Sequence, residues 1–139
     1  ITSVAEYTDY TDRIELENRV WNVSLDENWF RGKSSSPSYS VEWDLLAVSP
    51  EEKLAAFNLV WLYPKNRTAE LDPVGTHPDH RKRGLSRALI LESFKRLRES
   101  GFRYTYVANS SKLPTACCNM KRVCWQPRQP SGKPSWLLI

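Results

Sequence analysis

Between residues 41 and 76 the apolar positions come in three runs parted by short polar turns. "VEWDLLAV" (41–48), "AAFNLVWLY" (55–63) and "TAELDPVGT" (68–76) are separated by "SPEEK" and "PKNR". Runs of this composition predict strands, and connections this short make them antiparallel neighbours. Pro73 sits inside the third run. Proline has no N–H to give a ladder, so it predicts a bulge or an end to pairing, and Gly75 supports a local break. Backbone groups near Val74–Thr76 are therefore expected to lack partners.

Elsewhere the period lengthens. "ITSVAEY" reads as a short first strand. Thr8 or Asp9 caps a helix predicted to run to about Leu25, with Tyr10, Ile14, Trp21 and Leu25 near one face. "RGKSSSPSYS" (31–40) reads as a loop on its glycine, serines and proline. From Gly84 to Ser100, Leu91, Phe94 and Leu97 recur at three-residue spacing with Ala88 and Ile90 beside them, which predicts a helix closed by Gly101. "FRYTYVA" (102–108) alternates as a strand. A second helix is expected from about Pro114 to Val123, and the tail "WQPRQPSGKPSWLLI" offers two short strand pieces. The order predicts an α+β fold with a mixed, mostly antiparallel central sheet.

Composition narrows the class. The chain has 139 residues, 40% apolar, which fits one domain. Twenty Lys and Arg against sixteen Asp and Glu leave a net charge of +4, compatible with a phosphate-bearing ligand or with nucleic acid. No apolar run reaches the length of a membrane span, so no membrane partner is expected. The first residues show no basic segment ahead of an apolar one, so no signal peptide is expected. The chain starts at Ile1 rather than a methionine, which leads us to expect trimming or a longer, even tandem, parent. Cys117, Cys118 and Cys124 are odd in number and clustered, an argument against a disulfide framework and for a reduced, cytoplasmic protein. They are expected to pack in the second helix as small hydrophobes.

The chemistry concentrates in "THPDHRKRGLSRALI" (76–90). Arg81, Lys82 and Arg83 stand at a helix start, where the free N–H groups already make the end positive. That arrangement costs stability unless an anion sits there. A tight loop leading into a helix forms an anion-binding nest. Gly84 removes a Cβ that would block a phosphate, Ser86 keeps the next turn small, and Arg81 and Arg83 add charge-assisted donors. One bend upstream lies the strand edge Val74–Thr76, free to pair with an extended amide. A diphosphate joined to an arm with two amides describes coenzyme A. Glu70 and Asp72 alternate onto one strand face, either as an ordinary solvent-facing pair or as catalytic carboxylates. His77 and His80 form an HxxH, but proline breaks it and the cysteines lack a CxxC spacing, so no metal is expected. The acids are dispersed among the bases, which argues against a nucleic-acid surface.

This stretch resembles the GNAT-type N-acetyltransferases, whose acyl-CoA loop follows [QR]-x-x-G-x-[GA]. "RKRGLS" (81–86) matches with Ser86 in the last place, and the likeness extends through "VGTHPDHRKRGLSRALI". The resemblance implies a GNAT-like sheet splayed at the acyl-CoA strand with helices on both faces. Residues 41–125 would be the acyl-CoA core and 1–40 the acceptor side. It implies acetyl-CoA as cosubstrate and transfer of its acetyl group to a primary amine, on a small molecule or a peptide. Val74, Gly75 and Thr76 would meet pantetheine; Arg81, Lys82, Arg83, Gly84, Leu85 and Ser86 would hold the pyrophosphate; Asn109 would lie near the cofactor. Glu70 would be the general base, with Asp72 second choice. A homodimer, or a second domain of the same kind, is the partner that the resemblance allows. The sequence departs from the family where a tyrosine usually protonates the leaving thiolate, because Met120 falls there. That leaves three readings in order: slow but real catalysis, a domain that binds coenzyme A without catalysis, and a basic nucleic-acid-binding module.

Overall fold

The three apolar runs form the middle of a five-stranded sheet. The computed structural model describes residues 1–7 and 9–107, together with two short strands near the C-terminus. Strands β1 (Thr2–Ser3), β2 (Asp44–Val48), β3 (Leu54–Tyr63), β4 (Thr68–Thr76) and β5 (Tyr104–Val107) lie side by side in that order. The first four are antiparallel neighbours, and β5 runs parallel to β4. A parallel neighbour needs a crossover, which is supplied by a helix over Leu85–Glu99. Helices α1 (Tyr10–Trp21) and α2 (Glu27–Ser34) pack on one face, around Ile14, Leu16, Phe30, Leu46 and Phe57. That crossover helix, α3, packs on the other, against Val60, Ala69, Leu71 and Val107. The mixed, mostly antiparallel α+β architecture is the one the sequence predicts. Strand β2 starts at Asp44 rather than residue 41, since Val41–Trp43 is a 3-10 turn.

Each helix differs from its prediction for a local reason. Helix α1 is capped by Asp9, whose side chain accepts from Thr11 N at 2.8 Å. It stops at Trp21 rather than Leu25. Asn22 is left-handed (φ 54), and the Asn18 side chain brackets Leu25, accepting from its N–H at 2.7 Å and donating to its C=O at 3.0 Å. Its buried residues are Arg13, Ile14, Leu16 and Glu17, while Tyr10 is exposed.

Residues 31–34 of the expected loop are the second half of α2. Asp26 caps that helix by accepting from Trp29 N at 2.9 Å. Phe30 anchors it, stacked on Tyr10 at 5.3 Å and edge-on to Tyr39 at 6.3 Å. Packing overrides the low helix propensity of the Gly and Ser residues.

In α3 the buried stripe is Leu89, Ile90, Ser93, Phe94 and Leu97, and Leu91 lies 48% exposed. Ala88 is exposed as well. The polar Ser93 hides the true phase. Its hydroxyl donates to Leu89 O at 2.9 Å and accepts from Asn58 Nδ2 at 2.7 Å, so it is satisfied inside the core. Gly101 ends the helix as expected, with φ 80, its N–H on Arg98 O and the Phe102 N–H on Leu97 O.

Strands β6 (Val123–Cys124) and β7 (Leu137–Leu138) pair antiparallel as a separate ribbon. Val123 and Cys124 are thus strand, not the end of a helix; Val suits a ladder through its branched Cβ. The rest of the expected second helix, with Cys117, Cys118 and Met120, lies outside the described residues, as do Ala108 and Asn109.

Strand β4 breaks where Pro73 predicts it. Asn58 pairs with Val74 and Val60 with Leu71, so Leu59 stands opposite both Asp72 and Pro73. Beyond the bulge Gly75 faces α1, because a Cβ there would come within 2.6 Å of the Phe57 ring and 2.9 Å of Val20. Gly75→Ala is expected to cost about 1–3 kcal/mol by overpacking, read as a lower urea midpoint at unchanged m-value. A variant as stable as the parent would mean that Phe57 has room to retreat.

Beneath α1 and α2 lies a buried ionic cluster. Arg13, fully buried, donates from Nε to Asp44 Oδ1 at 3.0 Å and from Nη1 to Glu17 Oε2 at 2.7 Å. Lys33 Nζ reaches Asp44 Oδ2 at 3.1 Å and sits over the Phe30 ring at 4.4 Å. Burial by itself would raise the Asp44 pKa, but Arg13 and Lys33 outweigh it and hold the carboxyl below its ordinary range. For Lys33 burial wins and pushes its pKa down, since it shares Asp44 with Arg13.

Candidate functional site

The basic loop starts where β4 ends. His77 N–H donates to Ala55 O at 2.9 Å, the last rung before a 3-10 turn over Pro78–His80. The His77 ring caps that turn, its Nδ1 accepting from Asp79 N at 3.2 Å. Lys82 (φ 61) and Gly84 (φ 78) then take left-handed conformations on either side of Arg83. Backbone of this kind gathers successive N–H groups on one side. Gly84 C=O accepts the first helical bond of α3, from Ala88 at 3.0 Å, so the N–H groups of Leu85, Ser86 and Arg87 have no acceptor within the helix. Among the described residues no side chain caps them, and no acidic residue stands in the first turn.

Arg81, Lys82 and Arg83 are exposed around these donors, and Arg83 Nη1 reaches His80 Nδ1 at 3.5 Å. The requirement for glycine at 84 is its backbone angle. A Cβ there would meet no atom of the described residues within 4 Å, so among them the space beside it is open. Free N–H groups, three cations and an open flank are the donor set that a diphosphate takes.

One contact was not legible beforehand. Thr76 Oγ1 and Ser86 Oγ lie 2.6 Å apart, tying the end of β4 to the first turn of α3. Ser86 thus has work that the Gly or Ala of the motif cannot do. The signal was present in the departure itself: a hydroxyl at the crowded turn implies a nearby partner.

Strand β4 has different neighbours along its length. From Thr68 to Leu71 it pairs with β3 on one side and β5 on the other, ending at Leu71 with Val107. Val74, Gly75 and Thr76 pair with Asn58, Phe57 and Ala56 of β3, and among the described residues no strand lies along their other edge.

Glu70 and Asp72 both point to the α1 side. Glu70 accepts from the Tyr63 hydroxyl at 3.4 Å, and Trp61 Nε1 donates to the Asp72 carbonyl at 2.6 Å. Lost hydration, then the charges of Glu70 and Glu17, push the Asp72 pKa up. Burial and Glu70 likewise raise that of Tyr63, keeping it a donor. Neither carboxylate has a cationic partner within the described residues. The structure thus brings Glu70 beside Asp72 and Thr76 beside Ser86. Glu70, Asp72 and Thr76 lie along one strand that feeds the basic loop, and Ser86 stands just beyond that loop on α3.

The model of the family described as "Acetyltransferase (GNAT) family" matches residues 6–116. Among solved structures the chain is similar to the ribosomal-protein-S18-alanine N-acetyltransferase from Escherichia coli, at 21% identity and TM-score 0.61, over 76% of this chain and 64% of that one. It is similar to the Escherichia coli GNAT family N-acetyltransferase YhbS, solved in complex with CoA, at 15% identity and TM-score 0.62, over 76% and 60%. A third is an acetyltransferase of the GNAT family from Staphylococcus aureus MU50, at 12% identity and TM-score 0.64, over 81% and 74%. The chain thus spans less than two thirds of the length of the first two. No curated protein matches it in sequence.

Proposed function

Because the chain belongs to the GNAT acetyltransferase family, we propose that it moves an acetyl group from acetyl-CoA, the family's cosubstrate, to a primary amine, with Glu70 as general base. One observation carries this reading. The edge at Val74–Thr76, along which no described strand pairs, and the anion nest at Arg81–Ser86 follow Glu70 on one continuous strand and loop. Nest amides and the three cations would hold the pyrophosphate. Val74, Gly75 and Thr76 would offer backbone groups to the pantetheine amides. That lays the thioester along β4 toward the carboxylates.

The amine nitrogen attacks the thioester carbonyl carbon. The C–N bond forms, the C–S bond breaks, and sulfur leaves with the electron pair. Glu70 takes the nitrogen's proton through water. The thiolate takes its proton from solvent, since a methionine at 120 has no proton to give and a free thiol has a pKa near 8.5, making a tolerable leaving group. Asp72, its carboxyl pushed up in pKa beside Glu70, is the second choice of base.

Glu70→Gln is expected to lower kcat by about 10²-fold while calorimetry finds coenzyme A affinity unchanged. Asp72→Asn serves as its control and should cost far less. Equal, small losses from both would move the base elsewhere.

The residue at 120 favours a second reading, a domain that binds coenzyme A without transfer. Single-turnover measurement with acetyl-CoA and a mixed amine pool separates the two. Acyl transfer supports the enzyme; none from a coenzyme-saturated protein leaves the binding domain. A melting curve unmoved by saturating coenzyme A would defeat both.

A further inference from the structure

Glu70 stands in the centre of an aromatic row. Across the sheet Trp61 on β3 pairs with Glu70 on β4, and Glu70 pairs with Tyr106 on β5. Residues in register on neighbouring strands share a face, so an indole and a phenol flank the carboxylate. One row further on, Thr68 separates Tyr63 from Tyr104 in the same way. The opposite face at these positions is core: Ala69 and Val107 pack with Ile90, Phe94 and Leu97 of α3, and Thr105, on the strand with Val107, is buried as well. Among the described residues nothing covers the aromatic face. Tyr63 is 40% exposed, Tyr104 39% and Tyr106 54%. Three strands of aromatic surface around a carboxylate are not core material, and Asp72 adds a second negative charge on the same face.

Deepening the acetyl-transfer reading, on which it rests, we propose that this face receives the acceptor and selects a small alkyl- or arylalkylammonium that has no carboxylate of its own. The physical case has two parts. Rings within about 6 Å attract a cation over their faces and stack on an apolar body. Glu70 and Asp72 draw the ammonium in and repel an acceptor that also carries a carboxylate. An α-amino acid meets that repulsion; its decarboxylated counterpart does not. The row is three strands wide, about 10 Å, the size of one ring-bearing amine rather than of a folded partner.

The test uses matched acceptors on the intact chain with acetyl-CoA, following thiol release: 2-phenylethylamine against L-phenylalanine, and 1,4-diaminobutane against L-ornithine. In each pair the carboxylate-free amine is expected to show at least about tenfold higher kcat/KM. Tyr106→Ala should raise KM for 2-phenylethylamine about fivefold with a smaller change in kcat. Indole fluorescence on adding 2-phenylethylamine to the coenzyme-saturated protein reads binding apart from turnover. Turnover without discrimination against the carboxylate, or preference for a lysyl side chain in a blocked peptide, overturns this inference and leaves acetyl transfer standing. Binding of the amine without turnover supports the face and sinks the transfer. If none of these amines is bound or turned over, the inference is overturned, whatever calorimetry with coenzyme A finds.

Discussion

Gly84→Glu is expected to lose all of the thermal protection that coenzyme A gives the parent. A ligand that binds only the folded state adds about 2.7 kcal/mol at a hundredfold excess over Kd, a readily measured rise in melting temperature. At position 84 the backbone is left-handed with φ 78, a conformation that costs an L side chain about 1–2 kcal/mol. The side chain then enters the open space beside the nest, and its carboxylate faces the anion the nest would hold. Gly84→Ala separates the two effects. It carries the backbone cost without the charge, so it should melt earlier than the parent yet still gain stability from coenzyme A. Circular dichroism of both variants checks that α3 persists. If coenzyme A protects the glutamate variant as fully as the parent, the loop does not hold the pyrophosphate.

Asp44→Asn is the variant expected to damage the fold most. It strands Arg13 and Lys33 in the interior with only Glu17 for balance, and removing one partner of a buried pair costs about 3–5 kcal/mol. In a domain of this size that lowers the melting temperature by about 10 °C or more. The sign with pH follows from Asp44. Its folded pKa is held below the ordinary value of 3.8, so its contribution is present in full above that value and is lost as pH falls through the folded one. The parent should therefore lose stability in acid more steeply than Asp44→Asn, measured by urea unfolding from pH 7 down to pH 3. Burial already outweighs attraction at Lys33, so adding Lys33→Met to Asp44→Asn should restore part of the loss. Strict additivity of the two substitutions would show that Lys33 and Asp44 act independently.

The cluster also marks what could not be read from the sequence. Arg13 and Asp44 are 31 residues apart, and nothing in the local pattern of either segment announces a partner. Helix α2 was hidden for a related reason. Its stability comes from Phe30 between two aromatic rings and from Lys33 on Asp44, while Gly32 and Ser34 in its second half, and the serines and proline that follow, argue locally for a loop. In α3 the three-residue spacing chose Leu91 because Ser93 interrupts the true stripe, and only the Asn58 side chain explains a serine there.

By contrast β4 was legible to the residue, because a turn precedes it and Pro73 marks its irregular part. Gly75, expected to support the break, instead pairs regularly with Phe57 beyond it and is small because the Phe57 ring and Val20 crowd it. Its basic loop was legible too, since glycine and cations at a helix start conflict with what that position favours. The aromatic flank of Glu70 was not, because it exists only once β5 is known to run parallel to β4 in the register that sets Tyr106 beside Glu70.

The bulge in β4 has a consequence for how this strand can change over generations. Glu70 and Thr76 are separated by an even count, and in a regular strand an even count puts both on one side. The extra residue opposite Leu59 resets the parity. Glu70 looks toward α1 while Thr76 reaches Ser86 on α3, so one strand serves two compartments that an uninterrupted ladder of equal length would merge. Length and irregularity are therefore a single inherited character. A relative that keeps the count between carboxylate and loop must keep the bulge, and one that straightens the strand must shed a residue. An alignment that closes this gap, or opens one elsewhere, will assign the carboxylate to the wrong side of the sheet.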